Sequence, residues 1–209
     1  MKIIRRIVLL FVVLLLAISI GSIARAQHAP VVVISVKGPI VPVIADYIDE
    51  GISRAEDENA AVCVIELDTP GGLLNSTEEI VQKIMNAHVP VVVYVSPRGA
   101  WAASAGTFIT LAANIAAMSP GTTIGAAHPV SGGGEAIPED EMKKIVEFSA
   151  KWMKTIAQER GRNLEEAQLA VTESKSFTDV DALNANLIDL RADSLESLLD
   201  RIDGREVIL

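Results

Sequence analysis

The sequence predicts a single α/β domain built on a mostly parallel sheet. Three observations predict it. Short, almost wholly apolar runs rich in β-branched residues recur at positions 30–36, 61–67 and 90–95, as strands buried on both faces of a sheet require. Between them, apolar residues fall at helical spacing, so strand and helix alternate and each strand reaches the next through a crossover helix. The chain has 209 residues and 50% hydrophobic content, enough for one substantial core once its first segment is set aside.

That first segment is a targeting signal by its pattern. Lys2, Arg5 and Arg6 precede fourteen almost wholly apolar residues, 7–20, and Ala24-Arg-Ala26 supplies a small-residue cleavage site. Residues 1–26 are therefore expected to be a secretory signal peptide, leaving 27–209 as the exported domain. The run is shorter than the ~20 residues that span a bilayer, although its extension to Ile23 would make an uncleaved anchor. Removing the segment's four cationic side chains (Lys2, Arg5, Arg6, Arg25) takes the formal net charge from −9 to −13. Such acidity argues against nucleic acid or an anionic membrane surface as a partner. Cys63 is the only cysteine, so no disulfide framework and no cysteine metal site is expected, and its place in an apolar strand marks it as a core thiol.

After the first strand, 30–36, Lys37 and Gly38 close the run, and Ile44, Tyr47, Ile48, Ile52 and Ala55 repeat as one face of a helix through Glu56. The second strand, 61–67, ends in Asp68-Thr-Pro-Gly-Gly72. Helical spacing resumes with Ser76 and Thr77 as candidate caps and runs through Ile80, Ile84 and Ala87. The third strand, 90–95, leads through the Pro97-Arg-Gly99 turn into Trp101-Ala-Ala-Ser-Ala-Gly-Thr-Phe108 and an apolar helix to Ala113. Residues 114–118 read as a further short strand. Residues 131–137 are glycine-rich and read as a surface loop. Pro138 opens a helix with Glu139, Asp140 and Glu141 in its first turn, and Gly161 ends it. Asn163 caps a short helix to Thr172; a turn, a short helix and a strand follow to Leu190, and 194–203 is an amphipathic helix.

Ser104 is the candidate nucleophile. It stands among very small residues where a helix begins, so unpaired backbone N–H groups and the helix dipole favour the negative charge that a nucleophile and its oxyanion develop. The same octapeptide is also the pattern of a helix packed closely on a sheet, with Ser104 as a cap. Gly71 and Gly72 close the preceding strand on the same sheet edge, where parallel sheets place their sites. Without Cβ atoms they can bring backbone N–H groups to a substrate carbonyl, and together with the N–H of Ala105 they form a candidate oxyanion hole. Serine needs a base. His128 is the one histidine placed to serve; the alternative is a lysine kept neutral by burial, and Lys143 and Lys144 stand beside Ile145 and Phe148.

Four motifs in order carry a resemblance: Leu67-Asp-Thr-Pro-Gly-Gly-Leu73, Ser104-Ala-Gly-Thr107, Met118-Ser-Pro-Gly-Thr-Thr-Ile-Gly-Ala126 and Ala157-Gln-Glu-Arg-Gly-Arg-Asn163. Together they resemble the NfeD-type membrane-associated serine proteases of the ClpP/crotonase superfamily, which also holds signal peptide peptidase A. The resemblance runs from Val31 to about Asp203. It implies a ClpP/crotonase-like fold of repeated ββα units, a Ser-Lys dyad of Ser104 with Lys144, which precedes an isoleucine as the family lysine does, and Lys143 as the near alternative. His128 falls about 24 residues after Ser104, close to where ClpP places its triad histidine. Longer family members continue into a membrane-spanning block and a small β-barrel, so this chain is expected to be a fragment or a short natural form.

The resemblance also implies a polypeptide substrate with an apolar segment, notably from a stomatin-like membrane partner, and a membrane-associated homodimer or higher oligomer; by its export signal the domain is expected in the periplasm or at the outer face of the membrane. No P-loop or metal-ligand cluster appears, so no cofactor and no metal is expected. The rival class is a non-catalytic crotonase-fold module that binds a stomatin-like scaffold without turnover. Acyl-CoA chemistry on the same fold is disfavoured by the export signal.

Overall fold

The computed structural model describes residues 29–130 and 138–209. The expected signal peptide and the glycine-rich loop at 131–137 lie outside the described residues. Five parallel strands form the main sheet in the order β1 (Val31–Lys37), β2 (Val62–Asp68), β3 (Val91–Val95), β5 (Ile115–Met118) and β8 (Leu190–Arg191). A smaller sheet joins β4 (Trp101–Ala103), β6 (Thr123–Gly125) and β7 (Ser176–Thr178), with β4 and β6 parallel and β6 and β7 antiparallel. The helices are α1 (Pro42–Asp57), α2 (Leu74–Met85), α3 (Ala105–Ala112), α4 (Glu139–Glu159), α5 (Leu164–Thr172), α6 (Asp179–Asn184) and α7 (Leu195–Ile202).

Residue type explains where each strand sits. All five residues of β3 are buried, and β2 is buried through Ile65, as continuous apolar strands at the middle of a covered parallel sheet must be. β1 lies at the edge and alternates: Val32, Ile34 and Val36 point into the core, whereas Val31 and Val33 are each 40% exposed. One face of the sheet carries the main core with α1, α2 and α3. Ile48 and Ile52 of α1 are fully buried there, each burial contributing roughly 1.5–3 kcal/mol. The other face carries a smaller cluster of Val62, Val64, Val92, Tyr94, Ile115 and Leu190, closed by Leu198 of α7.

The helix ends follow sequence signals with one correction. Asn163 accepts from the N–H groups of Glu165 and Glu166 at 3.1 and 3.2 Å, and Ser194 accepts from Ser197 at 3.1 Å, as expected of caps. Ser76 and Thr77 are not caps. α2 begins at Leu74, and both residues are buried inside it, with the Thr77 hydroxyl donating to the Leu73 carbonyl at 2.8 Å. The helix starts directly after Leu73, whose backbone is extended, and no side chain caps it.

The small sheet is absent from the sequence reading and positions the site. The chain beyond β2 does not turn away. Thr69 N–H donates to the Trp101 carbonyl at 2.7 Å and Ala103 N–H to the Thr69 carbonyl at 3.1 Å, so β4 is laid alongside residues 69–71. This pairing carries the end of β4, where Ser104 sits, to Gly71.

Candidate active site

Ser104 occupies the joint between β4 and α3 with φ 51° and ψ −112°. Positive φ is uncommon for a residue with a Cβ and persists only where surrounding contacts impose it. The contacts are present. Ser104 N–H donates to the Gly125 carbonyl of β6 at 2.9 Å. The buried Thr107 hydroxyl lies 3.0 Å from the Ala102 carbonyl and 2.9 Å from that of Gly125, and accepts from Gly125 N–H at 2.8 Å. Thr107 thus ties β4, β6 and the first turn of α3 around the serine. Sequence reasoning quoted Thr107 in a motif but gave it no role; its signal was a hydroxyl on the inward side of a helix start, three residues after the serine.

The small residues serve close packing as well. A Cβ on Gly106 would stand 2.7 Å from Thr69 Cγ2 and 2.9 Å from Ala102 Cβ, so α3 touches the strands at a distance only glycine allows. Gly71 has φ +118°, and a Cβ there would meet Ser104 Cβ at 2.7 Å and Oγ at 3.3 Å. Its N–H turns back to the Thr69 hydroxyl at 3.1 Å, so in this structure it is not offered to a substrate. Gly72 flanks a bridge to Ile40, in which Ile40 N–H donates to the Gly71 carbonyl and Leu73 N–H to the Ile40 carbonyl, both at 2.8 Å. That pairing uses the groups on either side of the Gly72 N–H and leaves the N–H itself without a protein acceptor among the described residues. Ala105 N–H, at the first position of α3, is likewise unclaimed.

Ser104 is half-buried and opens on a cleft of about 620 Å³ whose walls include Gly72, Leu73, Leu74, Phe108, Ile145 and Ser149. Phe108, one turn along α3, stacks on Trp152 of α4 with ring centroids 4.6 Å apart, which fixes the two helices together at the cleft floor. Ser149 is buried, lines the same cleft and has no hydrogen-bond partner for its hydroxyl among the described residues.

The candidate bases differ in placement. His128 lines the cleft and brings Nδ1 to 2.9 Å from the Val171 carbonyl. A carbonyl only accepts, so Nδ1 is the donor of this contact. Among the described residues, a backbone carbonyl and not a carboxylate orients this ring. Lys144 and Lys143 lie in the first turns of α4, are both exposed, and have no hydrogen bond to Ser104; the expected desolvation of the lysine is absent in this structure. Successive helix residues are rotated by roughly 100°. Ile145 faces the cleft, so Lys144 is one step away from it. Lys143 is two steps away and borders a separate groove between α4 and α5 with Met142, Val146 and Gln168.

Two arginines reach the opposite end of α3. Arg162 Nε donates to the Leu111 carbonyl at 3.1 Å, its Nη2 to Ala113 at 3.0 Å, and its Nη1 to Leu187 at 3.1 Å and to the Asp189 carboxylate at 3.0 Å. Arg160 Nε donates to the Ala112 carbonyl at 2.7 Å. Burial pushes both guanidinium pKa values down, and Asp189 opposes the shift at Arg162. The Cys63 thiol is pushed up to about 12, first by burial and then by Glu56, as befits an inert core thiol. Among the described residues no group of three metal-ligating side chains converges.

The profile of the NfeD1b N-terminal domain matches residues 30–198. The chain belongs to the NfeD1b N-terminal domain family. Over 203 residues it is 39% identical to the membrane-bound protease PH1510 of Pyrococcus horikoshii, covering 96% of this chain and 45% of that protein. It is 34% identical over 131 residues to the membrane protein NfeD1b of Bacillus subtilis, covering 63% of this chain and 29% of that protein. The chain therefore spans less than half the length of these relatives. Among solved structures, it superposes on the 1510-N membrane-bound stomatin-specific protease in a serine-to-alanine form at a TM-score of 0.80, with 38% identity over 87% of this chain and 88% of that one. A lysine-to-alanine form in complex with a substrate peptide matches with the same score and identity, covering 87% of this chain and 83% of that one. ClpP1 of Listeria monocytogenes, 20% identical over 79% of this chain and 94% of its own, matches at a TM-score of 0.63 and shares the fold. The α/β fold of this NfeD1b domain is thus ClpP-like.

Proposed function

We propose that this NfeD1b domain is a serine endopeptidase with a Ser104–Lys144 dyad. The observation that carries the reading is Ser104 itself: a strained serine at a helix start, facing an apolar cleft, with the unclaimed N–H groups of Gly72 and Ala105 on that cleft. The relatives solved as serine and lysine variants of a stomatin-specific protease support it. Lys144 Nζ takes the Ser104 hydroxyl proton as Oγ bonds to the scissile carbonyl carbon. Gly72 and Ala105 hold the resulting oxyanion, and Gly71 supplies the close backbone approach. Collapse breaks the C–N bond, the lysine protonates the leaving amine, and water hydrolyses the acyl-enzyme. Lys144 stands one helical step from the cleft wall, so turning the first turns of α4 about their axis brings it in and desolvates it. Lys143 is turned further away.

The cleft walls select an apolar segment of a polypeptide, in our reading from a stomatin-like membrane protein. Residues 1–26 export the domain or hold it at the outer face of the membrane, and the domain works as a homodimer or higher oligomer without a cofactor. Hydrolysis of an apolar peptide, with fluorophosphonate labelling of Ser104, tests the reading. Ser104→Ala and Lys144→Ala abolish turnover, while Lys143→Ala and His128→Ala retain it. Full turnover by Lys144→Ala would remove the lysine from the mechanism, and loss in His128→Ala alone would assign the base to histidine. The second reading, a binding module, is favoured by one observation, the exposed Lys144. It requires peptide binding that survives Ser104→Ala with no turnover in any variant.

A further inference from the structure

The motif Gln158-Glu-Arg-Gly-Arg-Asn163 has no part in the chemistry above, yet it reaches the nucleophile's helix. α3 has eight residues, all buried, and no basic residue in its own last turn. Its final carbonyls are claimed from far along the chain: Leu111 and Ala113 by Arg162, and Ala112 by Arg160, across 48 to 51 residues of sequence. Gly161, at φ +64°, makes the left-handed turn between the two arginines. The arginines differ in their charge balance. Arg162 is buried and paired with Asp189 at 3.0 Å. Arg160 is half-buried and has no carboxylate within salt-bridge distance among the described residues. No ion pair holds its charge at the negative pole of α3, and Glu159 acts on it only from beyond salt-bridge distance.

A helix carries about half a negative charge at its C-terminal pole and half a positive charge at its N-terminal pole. Eight residues span about 12 Å. A cation on the far pole cancels the negative half and leaves the positive half acting at Ala105 N–H. It also adds its own field along a helix that solvent does not screen. We propose that Arg160 is a positioning residue for the serine chemistry: docked on the Ala112 carbonyl, it stabilises negative charge at Ser104 through α3, while the Arg162–Asp189 pair anchors the turn that holds it. This inference rests on the Ser104 reading.

The test measures the second-order rate constant for fluorophosphonate labelling of Ser104 by intact mass, with Tm alongside, in the full chain and in Arg160→Gln and Arg160→Lys. Arg160→Gln slows labelling about five- to tenfold with Tm nearly unchanged; Arg160→Lys, which keeps the charge, stays within twofold of the parent. A role confined to stability predicts the opposite split, with Tm lowered in both and labelling unmoved. Parent-rate labelling in Arg160→Gln, or equal slowing in both variants, overturns the proposal. Should Arg160→Gln fail to fold, Arg160→Lys decides alone: parent-rate labelling supports the charge effect and slowed labelling overturns it. A parent chain that does not label at all overturns the nucleophile reading itself, and this inference with it.

Discussion

Replacing Gly71 by alanine separates backbone strain from a displaced nucleophile, because the chain carries a matched control. Gly71 has φ +118° and Gly38 has φ +112°, so alanine at either position meets nearly the same backbone penalty, about 1–3 kcal/mol. For a domain of this size that lowers Tm by roughly 2–4 °C per kcal/mol. The surroundings differ. A Cβ at Gly38 meets nothing within 4 Å, whereas at Gly71 it stands 2.7 Å from Ser104 Cβ and 3.3 Å from the Ala103 carbonyl. Ordinary contact distance requires Ser104 to give way by about 0.7 Å, and a shift near 1 Å costs on the order of a hundredfold in rate. Both variants should therefore lose similar Tm, while only Gly71→Ala loses Ser104 labelling and peptide hydrolysis, by about 30- to 100-fold. Equal labelling by the two variants, measured well below either Tm, would refute the contact between Gly71 and the nucleophile.

Arg162→Met leaves Asp189 unpaired and strips four hydrogen bonds; breaking a buried pair costs about 3–5 kcal/mol, so thermal unfolding should show a large drop in Tm, and a drop under 2 °C would exclude a structural anchor. Ser149→Ala removes a buried hydroxyl without a partner among the described residues, a group whose burial costs roughly 1–3 kcal/mol, so urea denaturation should show a modest gain in stability; a loss would mean that the hydroxyl is satisfied. The folded Cys63 pKa is raised from 9.0 to about 12. Its contribution to stability is complete below pH 9.0 and is lost as pH rises through that interval. Relative to Cys63→Ala, the parent should lose stability across this range, and native Cys63 should resist thiol reagents at pH 8 until the protein unfolds.

The strands β1, β2 and β3 and the long helices were legible because each is written in one local pattern: an unbroken β-branched run, or apolar residues at helical spacing. Trp101–Ala103, Thr123–Gly125 and Ser176–Thr178 were not legible. Each is three residues long and exists through pairing with distant segments, for which a sequence window carries no periodicity. The nucleophile's joint was visible in the small residues around Ser104, but which glycine offers its N–H was not. That depends on Thr69 turning its hydroxyl onto Gly71, a local hydrogen bond that composition does not specify. The lysines gave a residue type without a phase: a single step of helix rotation separates Lys144 from the cleft-facing Ile145, and exposure is decided by how α4 lies on its neighbours. The arginine motif was recognised as a signature, yet its target, the end of α3, lies about 50 residues earlier.

The two faces of the main sheet are unequally protected. The face toward Ser104 is backed by several helices, whereas the outer cluster of Val62, Val64, Val92 and Tyr94 is covered mainly by α7, through Leu198 and its partly buried neighbours. Tyr94 adds one tether, its hydroxyl donating to the Ala192 carbonyl at 2.7 Å just before that helix. Detachment of α7 is thus a separate, cheaper opening than global unfolding. It would wet a strip of valines while the β4–α3 joint kept every hydrogen bond that holds Ser104. This seam and the chemistry lie on opposite sides of one sheet, so breathing at the first need not disturb the second.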